Sequence, residues 1–225
     1  MMAAFGRPGG LVRRRADLVW GVGLAVVLSA CDTGREQTLV EPVPVTAENV
    51  AAAVLTVEDL PPGFTRAEGA GTPISAQVLP EHACDDALAN LVPEESSSAD
   101  FVGSGTTLTS TVAWFPGAGA AVDQLFADVS SACAQVVATD AGVAIRSGAL
   151  SFGVLSDDTI ALAFEVEAPG TPIVERDLIL RREGDLVHLL RLTGARPSDK
   201  TLLDESVRAA IGRLSALALE TGQAT

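Results

Sequence analysis

Lysine is almost missing from this 225-residue sequence: Lys200 stands alone, and fifteen basic residues in all face twenty-nine acids. Nucleic-acid backbones are held by clustered Lys and Arg. Here the arginines are scattered among more numerous acids, which argues against nucleic acid and against direct binding to an anionic lipid surface. Metal ligands are equally scarce. There are two histidines, His82 and His188, with no Cys-x-x-Cys and no His-Glu-x-x-His, so neither a metal nor a cofactor is expected. A Gly-x-Ser-x-Gly elbow is also missing: Gly103-Ser104-Gly105 is the nearest approach, lacks the spacing, and reads as a flexible entry to a strand. The longest apolar run, residues 18–30, would span about 20 Å as a helix against a hydrocarbon core of about 30 Å, so a permanent membrane span is the poorer reading.

That short run has another use. It follows Arg13, Arg14 and Arg15, and a charged segment before an apolar stretch of this length makes a secretory signal peptide. The run ends in Leu28, Ser29, Ala30 and Cys31. This resembles the bacterial lipobox, whose small residues admit the signal peptidase and whose cysteine accepts diacylglycerol. Residues 1–30 are therefore read as a lipoprotein signal peptide and Cys31 as the lipidation site, carrying palmitate-type acyl chains. The expected localisation is the cell membrane, lipid-anchored and facing the extracytoplasmic side. Asp17 after Arg14 and Arg15 departs from a twin-arginine signal, which leaves general secretion as the default. The leader carries a local +3, so the formal charge of −14 becomes −17 for the mature part. Such a charge keeps a soluble body apart from its copies.

Lipid on Cys31 leaves Cys84 and Cys133, and in an oxidising compartment the expectation is one disulfide. Closing a loop of about 50 residues would constrain the unfolded chain by about 4 kcal/mol. The rival reading is a pair of buried, reduced thiols.

Residues 31–45 read as the lipidated N-terminus and a tether, because Pro42 and Pro44 favour extended backbone. A single domain is expected over 46–220. Thr46 can cap a helix at 47–55, and a strand follows near Phe64. A second short helix is expected at 82–91, and 93–100, rich in Ser and Glu, reads as a loop. Residues 106–115 are rich in β-branched and aromatic side chains, are ended by Pro116 and Gly117, and predict a strand. Val122, Leu125, Phe126, Val129, Cys133, Val136 and Val137 lie at helical spacing and predict a core-facing helix. Strands are expected at 159–167, 173–182 and 186–193, with a shorter one near Val143. Gly184 and Asp185 give the last pair a hairpin turn. A terminal helix over 199–219 shows Leu203, Val207, Ala210, Ile211, Leu214 and Leu217 on one face. The fold class is α+β: an antiparallel β-sheet packed against helices, here expected on one face.

From Ala52 to the end the chain resembles the extracellular sensor domain of the PknH-like actinobacterial serine/threonine kinases, and the lipoproteins that carry this domain without a kinase. The residues that carry the resemblance are LTVEDLPPGF over 55–64, Cys84, VAWF over 112–115, and the helix with Phe126 and Cys133. The hairpin and terminal helix complete it. The resemblance implies an antiparallel sheet with helices around a cleft, and binding of an unidentified extracellular ligand. One candidate disulfide stands where those domains have two, so no site residues are carried over.

The residues themselves favour a binding module over an enzyme. Candidate ligand contacts are Trp114 and Phe115, neighbours that face opposite ways on a strand, and His188, which alternates with Leu186 and Leu190. The expected cleft lies between the sheet and one helix, along the strands at 106–115 and 159–167; the competing reading is that the helix at 47–55 covers that face. The acid pairs Asp85-Asp86, Glu94-Glu95 and Asp157-Asp158 read as solvated loops. The leading expectation is a sensor-like or ligand-binding lipoprotein whose partner is a small ligand, a lipid or an envelope protein. The alternative is an interaction or scaffolding lipoprotein of an envelope complex without a small ligand. An envelope hydrolase is the least favoured, for want of a catalytic set.

Overall fold

The structure, a computed structural model, describes residues 42–69, 71, 92–103, 105–132, 137–138, 144–150, 158–167, 169–170, 173–194 and 200–224. All belong to one compact unit that begins at Glu41. Cys31, Cys84 and Cys133 lie outside the described residues, as do the signal peptide, most of the tether and the helix expected at 82–91.

Three helices are described: α1 (Ala47–Ala52), α2 (Gly119–Ala132) and α3 (Lys200–Thr221). The strands are β1 (Thr65–Arg66), β2 (Glu95–Gly103), β3 (Thr106–Trp114), β4 (Val137–Ala138), β5 (Ala144–Ala149), β6 (Thr159–Glu167), β7 (Val174–Glu183) and β8 (Leu186–Gly194). They form one antiparallel sheet in the order β1-β2-β3-β8-β7-β6-β5-β4. The last strand is thus inserted between β3 and β7, and two stretches far apart in sequence become the centre of the sheet. Thr106 pairs with Gly194 and Trp114 with Leu186.

Local chemistry explains most boundaries. Thr46 and Asn49 make a reciprocal capping box at the start of α1, satisfying amides that a helix leaves orphaned. The β7–β8 hairpin turns on Gly184 and Asp185, and Gly184 has φ +57°, where an L side chain is strained. The same turn serves α2: the Asp185 carboxylate accepts from the Gly117 amide at 2.8 Å, and its carbonyl accepts from Phe115 at 2.9 Å. At the other end of the domain's chain, Val43 donates to the Glu220 carbonyl at the end of α3 at 3.0 Å.

Period-two alternation sorts the strands into two layers of core. Leu108, Val112, Ile179, Leu186, Leu190 and Leu192 face α1 and α3, where they meet Val50, Leu203, Val207, Leu214 and Leu217. Ala113, Leu162, Phe164, Leu178, Leu180, Val187 and Leu189 face α2, where they meet Val122, Leu125 and Val129. Helices therefore cover both faces, which corrects the expectation of one. The physical reason is that β3, β6, β7 and β8 carry apolar residues in both alternating rows, and each row must leave water.

Two further expectations are corrected. Residues 93–100 read as a loop, yet β2 runs from Glu95. Its Ala99 and Phe101 fill the core, while Ser98 and Asp100 on the other face bond Thr111 at 2.7 Å and Thr109 at 2.6 Å. Cross-strand hydroxyl pairs thus let a serine-rich segment act as a strand. The helical spacing predicts a stripe as far as Val137, but α2 is described to Ala132, and Val137 lies in β4, paired with Ile145 of β5. A β-branched residue with a waiting sheet edge is better placed there.

Candidate functional site

The polar interior lies between α3 and the centre of the sheet. Ser110 on β3 and His188 on β8 both point toward α3 from the row that otherwise holds Leu108, Val112, Leu186 and Leu190. Strand pairing sets Val112 opposite His188, so Ser110 is its diagonal neighbour, and Ser110 Oγ lies 2.9 Å from His188 Nε2. The Leu55 amide donates to Ser110 Oγ at 3.1 Å, and His188 Nδ1 lies 3.3 Å from the Ala210 carbonyl of α3.

These partners fix the protons. A carbonyl only accepts, so Nδ1 carries the hydrogen; Nε2 is then bare and accepts a hydrogen bond from the Ser110 hydroxyl. His188 is 1% exposed. Burial lowers its pKa from 6.5 to about 4; the bond to Ala210 opposes this and the Arg213 charge adds to it. The imidazole is therefore neutral at physiological pH.

A notch lined by Thr159, Ile179, Arg181, His188, Leu190 and Val207 adjoins the ring, and its cavity of about 10 Å³ has the room of a single water. Arg181 also borders a polar basin of about 280 Å³ with Asp158, Arg182, Glu183 and Gly184. There it donates to Glu183 at 2.7 Å and to Thr159 at 3.2 Å, and Ser215 of α3 donates to the same Glu183 oxygen at 2.9 Å. A shallow groove of about 180 Å³ runs between α1 and α3, past Asn49, Ala53, Arg213 and Glu220. In it Arg213 donates to the Ala52 carbonyl at 2.9 Å and pairs with Asp59 at 2.8 Å. Burial would raise the Asp59 carboxyl, but hydrogen bonds from Thr56 and Arg213 outweigh it and hold the group below the usual range.

The other face has its own charged rim. Arg191 on β8 lies toward Arg176 and Asp100; burial and the Arg176 charge lower its pKa while Asp100 opposes them.

The structure brings two of the three predicted ligand residues to one face. Trp114 and His188 both face α3, one half-buried and the other sealed, whereas Phe115 is 2% exposed in the core under α2. The indole Nε1 of Trp114 is buried and has no hydrogen-bond acceptor among the described residues. Sequence reasoning missed Ser110, Arg181 and Arg213. Ser110 left a faint signal as a lone hydroxyl in an apolar row, but its partner comes from a strand 78 residues away. Among the described residues no three His, Cys, Asp or Glu side chains gather as a metal site, and no helix is long and apolar enough to cross a membrane.

No protein family matches the chain, and no curated protein is similar to it in sequence. Its three-dimensional structure is similar to that of the extracellular domain of PknH from Mycobacterium tuberculosis, with a TM-score of 0.54 at 12% identity, covering 80% of this chain and 100% of that one. The two share a fold. An uncharacterized protein from Mycobacterium smegmatis, the Rv0999 ortholog, aligns at a TM-score of 0.42 and 14% identity, covering 73% of this chain and 92% of that one.

Proposed function

We propose that the chain is a lipoprotein anchored through Cys31 to the outer side of the cell membrane, whose α+β domain is sensor-like and binds an extracytoplasmic ligand. The observation that carries this reading is the fold shared with the PknH extracellular domain along that domain's whole length. The leader ending at Cys31 supports export and anchoring, and Cys84 and Cys133 pair as the disulfide of an exported domain. Trp114 supports a ligand contact, since a buried indole N–H without an acceptor among the described residues is a donor that a ligand oxygen can satisfy. A binder is preferred to an enzyme because the Ser110–His188 contact is sealed and points at a backbone amide and a backbone carbonyl rather than at a cleft.

A second reading, a scaffolding lipoprotein without a small ligand, is favoured by the helices on both faces of the sheet, which bury Phe115 and His188.

Cells grown in labelled palmitate test the anchor. The wild type is labelled and sediments with membranes, and Cys31→Ala loses both properties, because stable anchoring needs more than one acyl chain. A variant that stays labelled and membrane-bound overturns the lipoprotein reading. Binding is tested by Trp114 fluorescence against lipid-like and wall-derived fragments in a Trp20→Phe background. A response separates the ligand reading from the scaffold reading; a panel that moves neither fluorescence nor melting temperature favours the scaffold.

A further inference from the structure

We propose that the Leu55–Ser110–His188–Ala210 array is an acid-sensitive latch that holds the Leu55 segment and β3 against β8 beneath α3 and gives way at the Ser110–His188 link when His188 takes up a proton. The array joins four separate pieces of chain through one ring: the segment after α1, β3, β8 and α3. Only the Ser110–Nε2 link needs the neutral imidazole; the Nδ1–H bond to the Ala210 carbonyl survives protonation and favours it. With Nε2 protonated, the Ser110 hydroxyl can no longer donate to it. The hydroxyl already accepts from Leu55, so it would have to accept a second bond and turn its own proton into the core, leaving that proton without an acceptor.

The surroundings sharpen the effect. Among the described residues, the charged groups facing the ring are Arg181 from β7, its strand partner, and Arg213 from α3. Arg181 is paired with Glu183 and Arg213 with Asp59, so the carboxylates nearby are engaged with their own cations. β3 contributes Ser110 and Val112 and β6 contributes Thr159, none of which titrates near neutrality. A new cation at His188 is therefore buried, next to like charge, with a broken hydrogen bond.

The sign follows from linkage. The unfolded chain takes up this proton near pH 6.5, and the native state resists until about pH 4. Between those values only the unfolded state gains the proton, so stability falls as pH falls and levels off below about 4. The full loss is about 300-fold in the folding equilibrium, or about 3 kcal/mol. The latch does not depend on what the domain binds.

The full chain in mild detergent, carrying Trp20→Phe, is unfolded in urea at steps between pH 7.5 and 4, with Trp114 as the reporter. From this group the wild type loses about 150-fold across this window, about half of the full 300-fold because the native ring is half protonated at pH 4, and His188→Gln, which keeps an acceptor for Ser110 but cannot titrate there, loses far less. An unchanged slope in the variant overturns the proposal. If His188→Gln fails to fold, imidazole NMR of the otherwise native chain in a His82→Gln background decides. A ring held as the Nδ1–H tautomer down to pH 5 supports the latch, and one titrating near 6.5 sinks it. Hydrogen exchange reads the release itself: at pH 4 the Leu55 amide, bonded to Ser110, loses protection relative to the amides of α2, and equal protection overturns the mechanical part.

Discussion

Beneath α2 the buried contact is hydrocarbon, Val122, Leu125 and Val129 against Ala113, Leu162, Phe164, Leu180, Val187 and Leu189, while the polar links to the helix, Arg182 with Asp123 and Asp185 with the Gly117 amide, lie at its rim. Beneath α3 the same strands bury Ser110 and His188 among leucines, and the helix adds Ser206, fully buried on its inner face. One side is held in its interior by area removed from water, a force indifferent to pH. The other adds directional bonds that fail if a partner is lost or a proton gained. A helix seated the first way tolerates drift; one seated the second way has a single position in which its carbonyl at Ala210 meets the imidazole.

The largest test of this contrast removes hydrocarbon from each side. Leu214→Ala under α3 and Leu189→Ala under α2 both truncate side chains with no exposure, and each should cost about 2–5 kcal/mol in urea unfolding. A Leu214 cost below about 1 kcal/mol would mean that polar contacts alone seat α3.

Polar truncations should separate the two sides. Ser110→Ala strands both the Leu55 amide and His188 Nε2 in the core, at a cost of about 2–3 kcal/mol. Thr111→Val, one residue along and facing the other way, loses a 2.7 Å bond to the half-buried Ser98, which water can replace, at about 1 kcal/mol or less. Equal losses in thermal melts would erase the distinction.

The smallest effect has the opposite sign. Ser206 Oγ is buried without a hydrogen-bond partner among the described residues, so Ser206→Ala should raise stability by about 1 kcal/mol. A loss instead would show that the hydroxyl is satisfied in solution, by a trapped water, and belongs to the polar side's function.

Much of the fold was legible in the residues. The strand at 159–167 coincides with β6, the hairpin turn sits on Gly184 and Asp185, and the terminal stripe from Leu203 to Leu217 is the buried face of α3. Each rests on a local rule: period two, a positive φ, or period 3.6. The serine-rich β2 escaped because its reason to be a strand is the threonine row on β3, not its own composition. The site was less legible still. His188 stood out as a polar residue on an apolar strand face, but nothing around it in sequence distinguishes a sealed ring from one lining a cleft.

By itself the sequence determined the classes of element, their order, the apolar rows and the excess of acid, since all of these follow from neighbours within a few positions. The tertiary structure decided that β8 enters between β3 and β7, that helices cover both faces, and that Ser110, His188 and the Ala210 carbonyl meet. Strand order across such separations is settled by the pairing that buries both rows of β3 and β8 at once, a sum over the whole chain that no local window contains.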